Sequence, residues 1–291
     1  LIRIAIQHHK FSLGSFGPSL IDATFGVVLL YGLFMNLQNF AIDQSYVQRY
    51  LAAKSGHEAK KSVWLSALLY IPVSAFFFFI GTALFAYYTA QPALLPPAIQ
   101  AEIAQGKGDT VFPYFILHAL LPGMAGLLIA AVFAAAMSTI SSSLNCSATL
   151  TLCDVYRRFI RAEPGERESM AVLYASTFFW GIVGTSVGLA MIRIKSALDT
   201  WWTLSGIFGG GVLGLFLLGY IGRGVKGAAA AVAVIVGVIV ITWMTLSPHA
   251  AFLPESMRNQ LNTFMIPVVG TSAIILAGFL IAALLNRRKR R

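Results

Sequence analysis

The chain has 291 residues, 57% of them hydrophobic and only 11% charged, whereas about 25% of the residues of a typical soluble domain are charged. Together with a mean hydropathy of +0.76, this composition excludes an ordinary soluble protein and indicates an integral membrane protein. The apolar segments are far longer than the roughly 9–11 residues of a membrane barrel strand, so the sequence predicts membrane-spanning helices.

Seven apolar segments are predicted to span the membrane, and each is long enough to cross it with some tilt. In chain order they cover residues 21–43, 63–88, 124–152, 170–192, 200–221, 227–246 and 264–286. Residues 1–20, which include the sequence SLGSFGPS, are predicted to form an external loop or an interfacial segment. A long proline-containing loop, with one short helix near Tyr114, separates the second span from the third.

The distribution of basic residues predicts the orientation of the chain. Fifteen of the 21 lysines and arginines fall in one set of loops, namely Arg49, Lys54, Lys60, Lys61, Arg157, Arg158, Arg161, Arg167, Arg223, Lys226, Arg287, Arg288, Lys289, Arg290 and Arg291. The other six fall in the opposite set, namely Arg3, Lys10, Lys107, Arg193, Lys195 and Arg258. Because loops rich in Lys and Arg stay in the cytoplasm, we expect a multi-pass cell-membrane protein with Leu1 outside and Arg291 inside. Topology therefore accounts for the net charge of +10, and no nucleic-acid partner is expected.

The third predicted span contains an unusual cluster of hydroxyl side chains in the sequence AVFAAAMSTISSSLN, residues 131–145. At about 100° per residue, one helical face carries Ala135, Ser138, Thr139, Ser142 and Asn145. Clustered hydroxyls are neutral hard-oxygen ligands that suit a monovalent cation such as sodium, because no fixed charge has to be buried with it. The alternative is that each hydroxyl donates to the carbonyl four residues earlier or eases helix packing. The residues alone leave both interpretations open.

Three amide side chains, Asn36, Gln38 and Asn39, lie inside the first predicted span, where an unpaired amide is costly. Asn36 and Asn39 share one helical face, whereas Gln38 points elsewhere. Hydrogen bonding between helices is one explanation for the Asn pair. The other is that the pair lines a water-filled cavity and binds a polar solute, with the neighbouring Phe40 closing over it.

Glycine recurs every four residues in the fifth predicted span, at Gly206, Gly210 and Gly214. Such a stripe of small residues on one helical face favours close packing against a neighbouring helix. The alternative is a hinge that bends during gating, because glycine weakens a helix.

Two segments resemble the sodium:solute symporter family. The sequence NLQNFAIDQSYVQRYLAAKS, residues 36–55, is similar to the end of the sixth core helix of that family, and AAAMSTISSSLN is similar to its eighth. Their order and spacing agree with the predicted topology, and the resemblance extends over nearly the whole chain. It implies an all-α integral membrane protein, built as the second inverted five-helix repeat of the LeuT-like transporter fold plus two C-terminal helices.

The resemblance also implies ligands for sodium on the third span. Ala135 would provide a backbone carbonyl to the main sodium site, and Ser138 and Thr139 would provide hydroxyls. Some family members, including sialic acid transporters, bind a second sodium ion nearby. Ser138, Ser141 and Ser142 match its ligands, together with an Asp from an earlier helix.

For the solute, the resemblance implies that Asn36 matches a sugar-contacting Asn. Asn39 and Phe40 match an aromatic pair that gates the inner side of the site, although the first of that pair is Asn here. Trp202 falls where sugar carriers place a Gln. These two departures argue against glucose or galactose, and Asn with Trp suits a polar, flat or amphipathic solute of the sugar, sialic acid or carboxylate class.

The family has a ten-helix core made of two inverted repeats, whereas this sequence begins just before the sixth core helix. We therefore expect three regions: an external segment at 1–20, the second five-helix repeat at 21–221, and two C-terminal helices with a basic cytoplasmic tail at 222–291. The N-terminal helices of the same chain, which complete the sodium site in the family, are then missing partners.

These expectations describe a sodium-coupled symporter that imports a small polar solute through the lipid bilayer by alternating access, with ion and solute bound near the midplane. The alternative from another class is a membrane solute sensor of the same fold that does not transport. The sequence contains no zinc-ligand spacing, phosphate loop, nucleophile elbow or pair of catalytic carboxylates, so no enzyme activity is expected.

Overall fold

The computed structural model describes residues 1–104, 108–192, 197–222, 225, 227–250 and 253–288. Within these ranges the secondary structure is helical, with twelve α-helices and no strand. The helices are α1 Ile2–Gln7, α2 Phe25–Ala41, α3 Gln44–Leu51, α4 Gly56–Ala90, α5 Pro97–Ala104, α6 Val111–His118, α7 Pro122–Leu150, α8 Arg157–Phe159, α9 Glu166–Met191, α10 Ala197–Ile221, α11 Gly227–Leu246 and α12 Ile266–Arg288. A π-helix, Thr151–Tyr156, joins α7 to α8.

Among the described residues, six helical segments are long and apolar enough to cross a membrane, and their bounds are Gly56–Ala90, Pro122–Phe159, Glu166–Met191, Leu204–Ile221, Gly227–Leu246 and Thr263–Leu284. The pair α2 and α3, bent by 45° at the break between them, makes a seventh if it is one span. The seven predicted segments correspond to these helices in order. The all-helical membrane class predicted from composition is confirmed.

Side-chain caps explain where the first spans begin and end. The Thr24 hydroxyl accepts a hydrogen bond from Val27 N at 3.4 Å, so helix α2 starts at residue 25 and not at the predicted 21. The Asp43 carboxylate accepts from Ser45 N at 2.8 Å and starts α3, which places the bend at residues 42–43. Ser55 caps α4 by accepting from Glu58 N at 3.3 Å, so this helix begins seven residues before the predicted start.

The chain divides into two compact units. The first combines Leu1–Phe11 with Ala53–Ala197, and the second combines Ser12–Ala52 with Leu198–Arg291. In the first unit α1 packs on α4, where the Lys10 ammonium lies 4.1 Å from the centre of the Phe85 ring. Since the units are defined by packing, the predicted boundaries at 1–20, 21–221 and 222–291 stay a prediction.

The second unit is built around the packing of α10 and α11 against α12. Its core includes Val27 of α2 with Ile241, Met244, Met265 and Ile266. These side chains are almost entirely buried and pack against one another, and α2 also contacts α12.

The glycine stripe of α10 faces α12. A Cβ atom placed on Gly210 would lie 2.8 Å from Pro267 Cα, and one on Gly214 would lie 2.9 Å from Ile274 Cβ. The buried Thr271 hydroxyl donates to Gly210 O at 3.0 Å in the same contact. The close-packing interpretation of the stripe is therefore confirmed, because neither position has room for a side chain.

Candidate functional site

The hydroxyl cluster lies on α7 in the first unit. Ala135, Ser138, Thr139 and Ser141 are exposed in this chain, and Ser142 is half-buried. Thr139 Oγ1 donates to Ala135 O at 3.1 Å, and Ser142 Oγ donates to Ser138 O at 3.0 Å. Two of the predicted ligands therefore form the back-bonds expected of hydroxyls in a membrane helix.

These back-bonds are compatible with cation binding. A hydroxyl that donates its proton along the helix keeps both lone pairs on the oxygen. The Thr139 hydroxyl oxygen thus remains available as a neutral ligand beside Ala135 O, to which it donates at 3.1 Å. This donor set fits a hard monovalent cation better than a transition metal, which prefers imidazole or thiolate ligands. In the described part of the chain, no group of three His, Cys, Asp or Glu side chains is placed to hold a metal.

The predicted solute residues lie on the last turns of α2, in the second unit. Asn36 is exposed, and its Nδ2 donates to Gly32 O at 2.7 Å. Asn39 and Phe40 are half-buried just before the bend. The Phe40 ring packs against the Tyr46 ring of α3, with centroids 5.2 Å apart, so this aromatic side chain bridges the bend. The side chain of Trp202, the remaining predicted solute residue, lies outside the described residues.

Gln38 differs from its two amide neighbours. Its Oε1 is buried and has no hydrogen-bond partner among the described residues. The carboxamide lies against Gly209 of α10, where a Cβ atom would collide with Oε1 and would lie 3.4 Å from Met35 Sδ. The sequence predicts that Gln38 points away from the Asn pair, but it gives no sign that a glycine of a distant helix makes room for it.

The structure also contains a tie between α7 and α9 that the sequence does not predict. Trp180 Nε1 of α9 donates to Thr151 Oγ1 at 3.0 Å, at the first residue of the π-helix. Farther along, Tyr156 Oη donates to Glu168 Oε1 at 2.6 Å, and Arg161 donates to Glu168 Oε2 at 2.7 Å. These contacts depend on tertiary structure, and no local sequence pattern predicts them.

A cavity of about 530 Å³ lies in the first unit between the end of α4 and the loop helices α5 and α6. Its lining is mostly apolar and includes Leu84, Tyr88 and Val111. The one amide in the lining, Gln100, already donates to Pro92 O and Leu95 O at 3.0 and 2.8 Å. With so apolar a lining, the cavity lacks the converging set of polar groups expected of a polar-solute site.

Comparison with known proteins places these features in context. A family model described as the sodium:solute symporter family matches residues 9–237. The chain is 33% identical to the sodium/sialic acid symporter of Proteus mirabilis over 92% of its own length and 51% of that protein. It is 32% identical to the sodium/sialic acid symporter of Aliivibrio fischeri, over 94% of the chain and 50% of the relative. The sodium-dependent multivitamin transporter of Oryctolagus cuniculus is 29% identical over 83% of the chain and 37% of its own length.

The fold agrees with a solved structure, the substrate-bound outward-open state of a Na+-coupled sialic acid symporter. The TM-score is 0.81 at 31% sequence identity, over 97% of this chain and 55% of the other. The chain thus spans about half the length of the relatives it matches. With a family model matched over most of its length, and with close agreement in fold, the chain belongs to the sodium:solute symporter family.

Proposed function

We propose that the full-length protein uses the inward sodium gradient to import a small polar organic solute by alternating access. The observation that carries this proposal is the structural agreement, over 97% of the chain, with a Na+-coupled sialic acid symporter. Membership of a family of transporters also favours a carrier over an enzyme.

The coupling ion is sodium, and α7 provides part of its site. Ala135 contributes its carbonyl, and Ser138 and Thr139 contribute hydroxyls; a second ion uses Ser138, Ser141 and Ser142. The adjacent oxygens of Thr139 and Ala135 support this assignment, because they are neutral and hard. Sodium drives uptake by binding the outward-open state more tightly than the inward-open state. Solute and ion then raise each other's affinity by the same factor.

The solute is a polar organic molecule of the sialic acid class, bound in part by α2. Two relatives above 30% identity are sialic acid symporters, whereas the glucose cotransporter of Vibrio parahaemolyticus is 26% identical. A sialic acid offers hydroxyl, amide and carboxylate groups to Asn36 and Asn39. Phe40 closes the inner side of the site, and Trp202 contributes from α10.

The chain is placed in the cell membrane with its N-terminal end outside and its C-terminal end in the cytoplasm. The excess of basic residues in one set of loops supports this orientation. The chain forms the second five-helix repeat and two further helices. N-terminal helices of the same polypeptide then supply the remaining wall of the ion site.

Sodium-driven uptake tests the proposal directly. The full-length protein is reconstituted in liposomes, and uptake of labelled sialic acid is measured with an inward sodium gradient and with a matched potassium gradient. We expect labelled sialic acid to accumulate in the liposomes under the sodium gradient and not under the potassium gradient. Solute binding without flux under either gradient would point to the sensor alternative, and accumulation that ignores the cation would rule out sodium coupling.

Asn36→Ala is expected to raise the KM for the solute about tenfold, because a hydrogen bond to a polar solute is lost. The sodium concentration for half-maximal uptake should change much less. Uptake kinetics at varied solute and fixed sodium provide the measurement. Leu37→Ala, at the exposed neighbouring position, serves as the control for a general effect on α2. An unaltered KM in Asn36→Ala would place the solute elsewhere.

A further inference from the structure

The helix that carries the hydroxyl cluster does not continue as an α-helix to its end. From Thr151 to Tyr156 it becomes a π-helix. The Arg157 N–H donates to Leu152 O, five residues earlier. An α-helical bond would reach back four residues, so the helical register changes directly after α7.

Thr151, the first residue of the π-helix, is bonded on two sides. Its hydroxyl donates to Ser147 O of α7 at 2.8 Å and accepts from Trp180 Nε1 of α9 at 3.0 Å. The first bond joins the hydroxyl to the preceding turn, and the second joins it to another helix. One hydroxyl therefore connects the end of α7 to α9.

The far end of the π-helix is bonded to the same helix. The Glu168 carboxylate at the start of α9 accepts from Tyr156 Oη at 2.6 Å and from Arg161 at 2.7 Å. The π-helix is thus attached to α9 at its first residue and at its last. A π-helix is rare and short because its backbone geometry is less favourable than that of an α-helix, so tertiary contacts of this kind are needed to keep it.

The register of the π-helix affects the hydroxyl cluster. A shift of one residue between π and α bonding turns the preceding helix by about 100° relative to the following one. With the C-terminal segment attached to α9, such a turn would fall on α7 and would move the face of Ser138 and Thr139. The contacts that stabilise the π-helical hydrogen-bond spacing therefore also fix the orientation of the Ser138 and Thr139 oxygens.

We propose that Thr151 and Trp180 are positioning residues for the ion site: their hydrogen bond fixes the axial rotation of α7 through the π-helix. The inference rests on the proposed role of α7 in sodium binding. Neither side chain touches the ion, and both act through the orientation of the helix. Loss of the bond lets α7 sample rotations in which its oxygens no longer converge, which weakens sodium binding and leaves turnover at saturating sodium intact.

The test compares Thr151→Val and Trp180→Phe in the full-length protein. Each change removes one partner of the bond; valine keeps the shape of Thr151, and phenylalanine keeps an aromatic ring at position 180. We expect the sodium concentration for half-maximal uptake to rise about threefold to tenfold, the range for one hydrogen bond, with the maximal rate retained. Thr151→Ser keeps the hydroxyl and should show the same sodium response as the unaltered protein. Thr149→Val is the matched control, since Thr149 donates to Asn145 O at 2.8 Å within its own helix.

The double variant separates a specific bond from general damage. If Thr151 and Trp180 act through one bond, combining the two changes should weaken sodium binding no more than the larger single change. In addition, backbone hydrogen exchange at residues 152–156 should be faster in Trp180→Phe than in Thr149→Val, because the π-helix has lost its hydrogen bond to Trp180.

Additive effects in the double variant, or a Thr151→Val response equal to that of Thr149→Val, would overturn the positioning role. This failure is distinct from failure of the proposed function. In the former case uptake by the unaltered protein still depends on sodium and Ser138→Ala still weakens that dependence. In the latter case uptake by the unaltered protein does not respond to sodium at all.

Discussion

Replacing Ser138 or Thr139 with alanine in the full-length protein is expected to raise the sodium concentration for half-maximal uptake by about tenfold or more. Each change removes one oxygen from a small ligand set, and hydrogen bonds or dipole contacts to a charged group contribute about 1.5–3 kcal/mol. In Thr139→Ala the back-bond to Ala135 O is lost as well. The effect should therefore be at least as large at Thr139 as at Ser138.

Sodium titrations of solute uptake measure this effect, and Ser147→Ala provides the control. Ser147 carries a half-buried hydroxyl on the same helix, but at about 100° per residue it lies about 80° or more from each of Ala135, Ser138, Thr139 and Ser142. Its removal should leave the sodium response unchanged. A normal sodium response in both Ser138→Ala and Thr139→Ala would mean that the ion binds elsewhere.

Gly210→Ala is expected to destabilise the second unit strongly. The added Cβ would lie 2.8 Å from Pro267 Cα and 3.1 Å from Pro267 O, which are backbone atoms that move only with the helix. Overpacking of this kind costs about 1–3 kcal/mol or more. The separation of α10 from α12 would also weaken the buried bond from Thr271 to Gly210 O.

Gly219→Ala is the matched control for Gly210→Ala. It lies on the same helix, and no atom lies within 4 Å of a Cβ placed there. Because alanine favours a helix by about 1 kcal/mol over glycine, this variant should be as stable as the unaltered protein or more so. Unfolding in mixed micelles with increasing SDS gives the comparison. Equal midpoints for the two variants would contradict the close packing of α10 on α12.

The class of protein and most of the helices could be predicted from the sequence because they depend only on the presence of long, continuous apolar segments. The family resemblance, carried by residues 36–55 and the Ser-rich segment, is confirmed by the family model and by the solved relatives. Helix ends were less well predicted, since Thr24, Asp43 and Ser55 act as caps through single hydrogen bonds. A hydropathy pattern does not predict such bonds.

The features that the sequence does not reveal are those in which two distant segments meet. The tie from Trp180 to Thr151 joins residues 29 positions apart, and the Gln38 carboxamide lies against Gly209 of another helix. The sequence around Trp180 and Thr151 does not indicate that they are bonded, and the position of Gln38 inside a span does not indicate that it meets Gly209. The π-helix is equally hidden, because the residue types of Thr151–Tyr156 do not indicate a five-residue hydrogen-bond spacing.

Ile274 links three helices and thereby constrains how this part of the chain can diverge. Its side chain lies against Gly214 of α10 and Gly237 of α11, and a Cβ atom at either glycine would collide with it. At position 237 the collision is with the outer carbons of the Ile274 side chain, whereas at position 214 it includes Ile274 Cβ and the backbone of Thr271. We therefore expect position 214 to stay glycine in related sequences, and positions 237 and 274 to covary, with alanine at position 274 wherever position 237 carries a side chain.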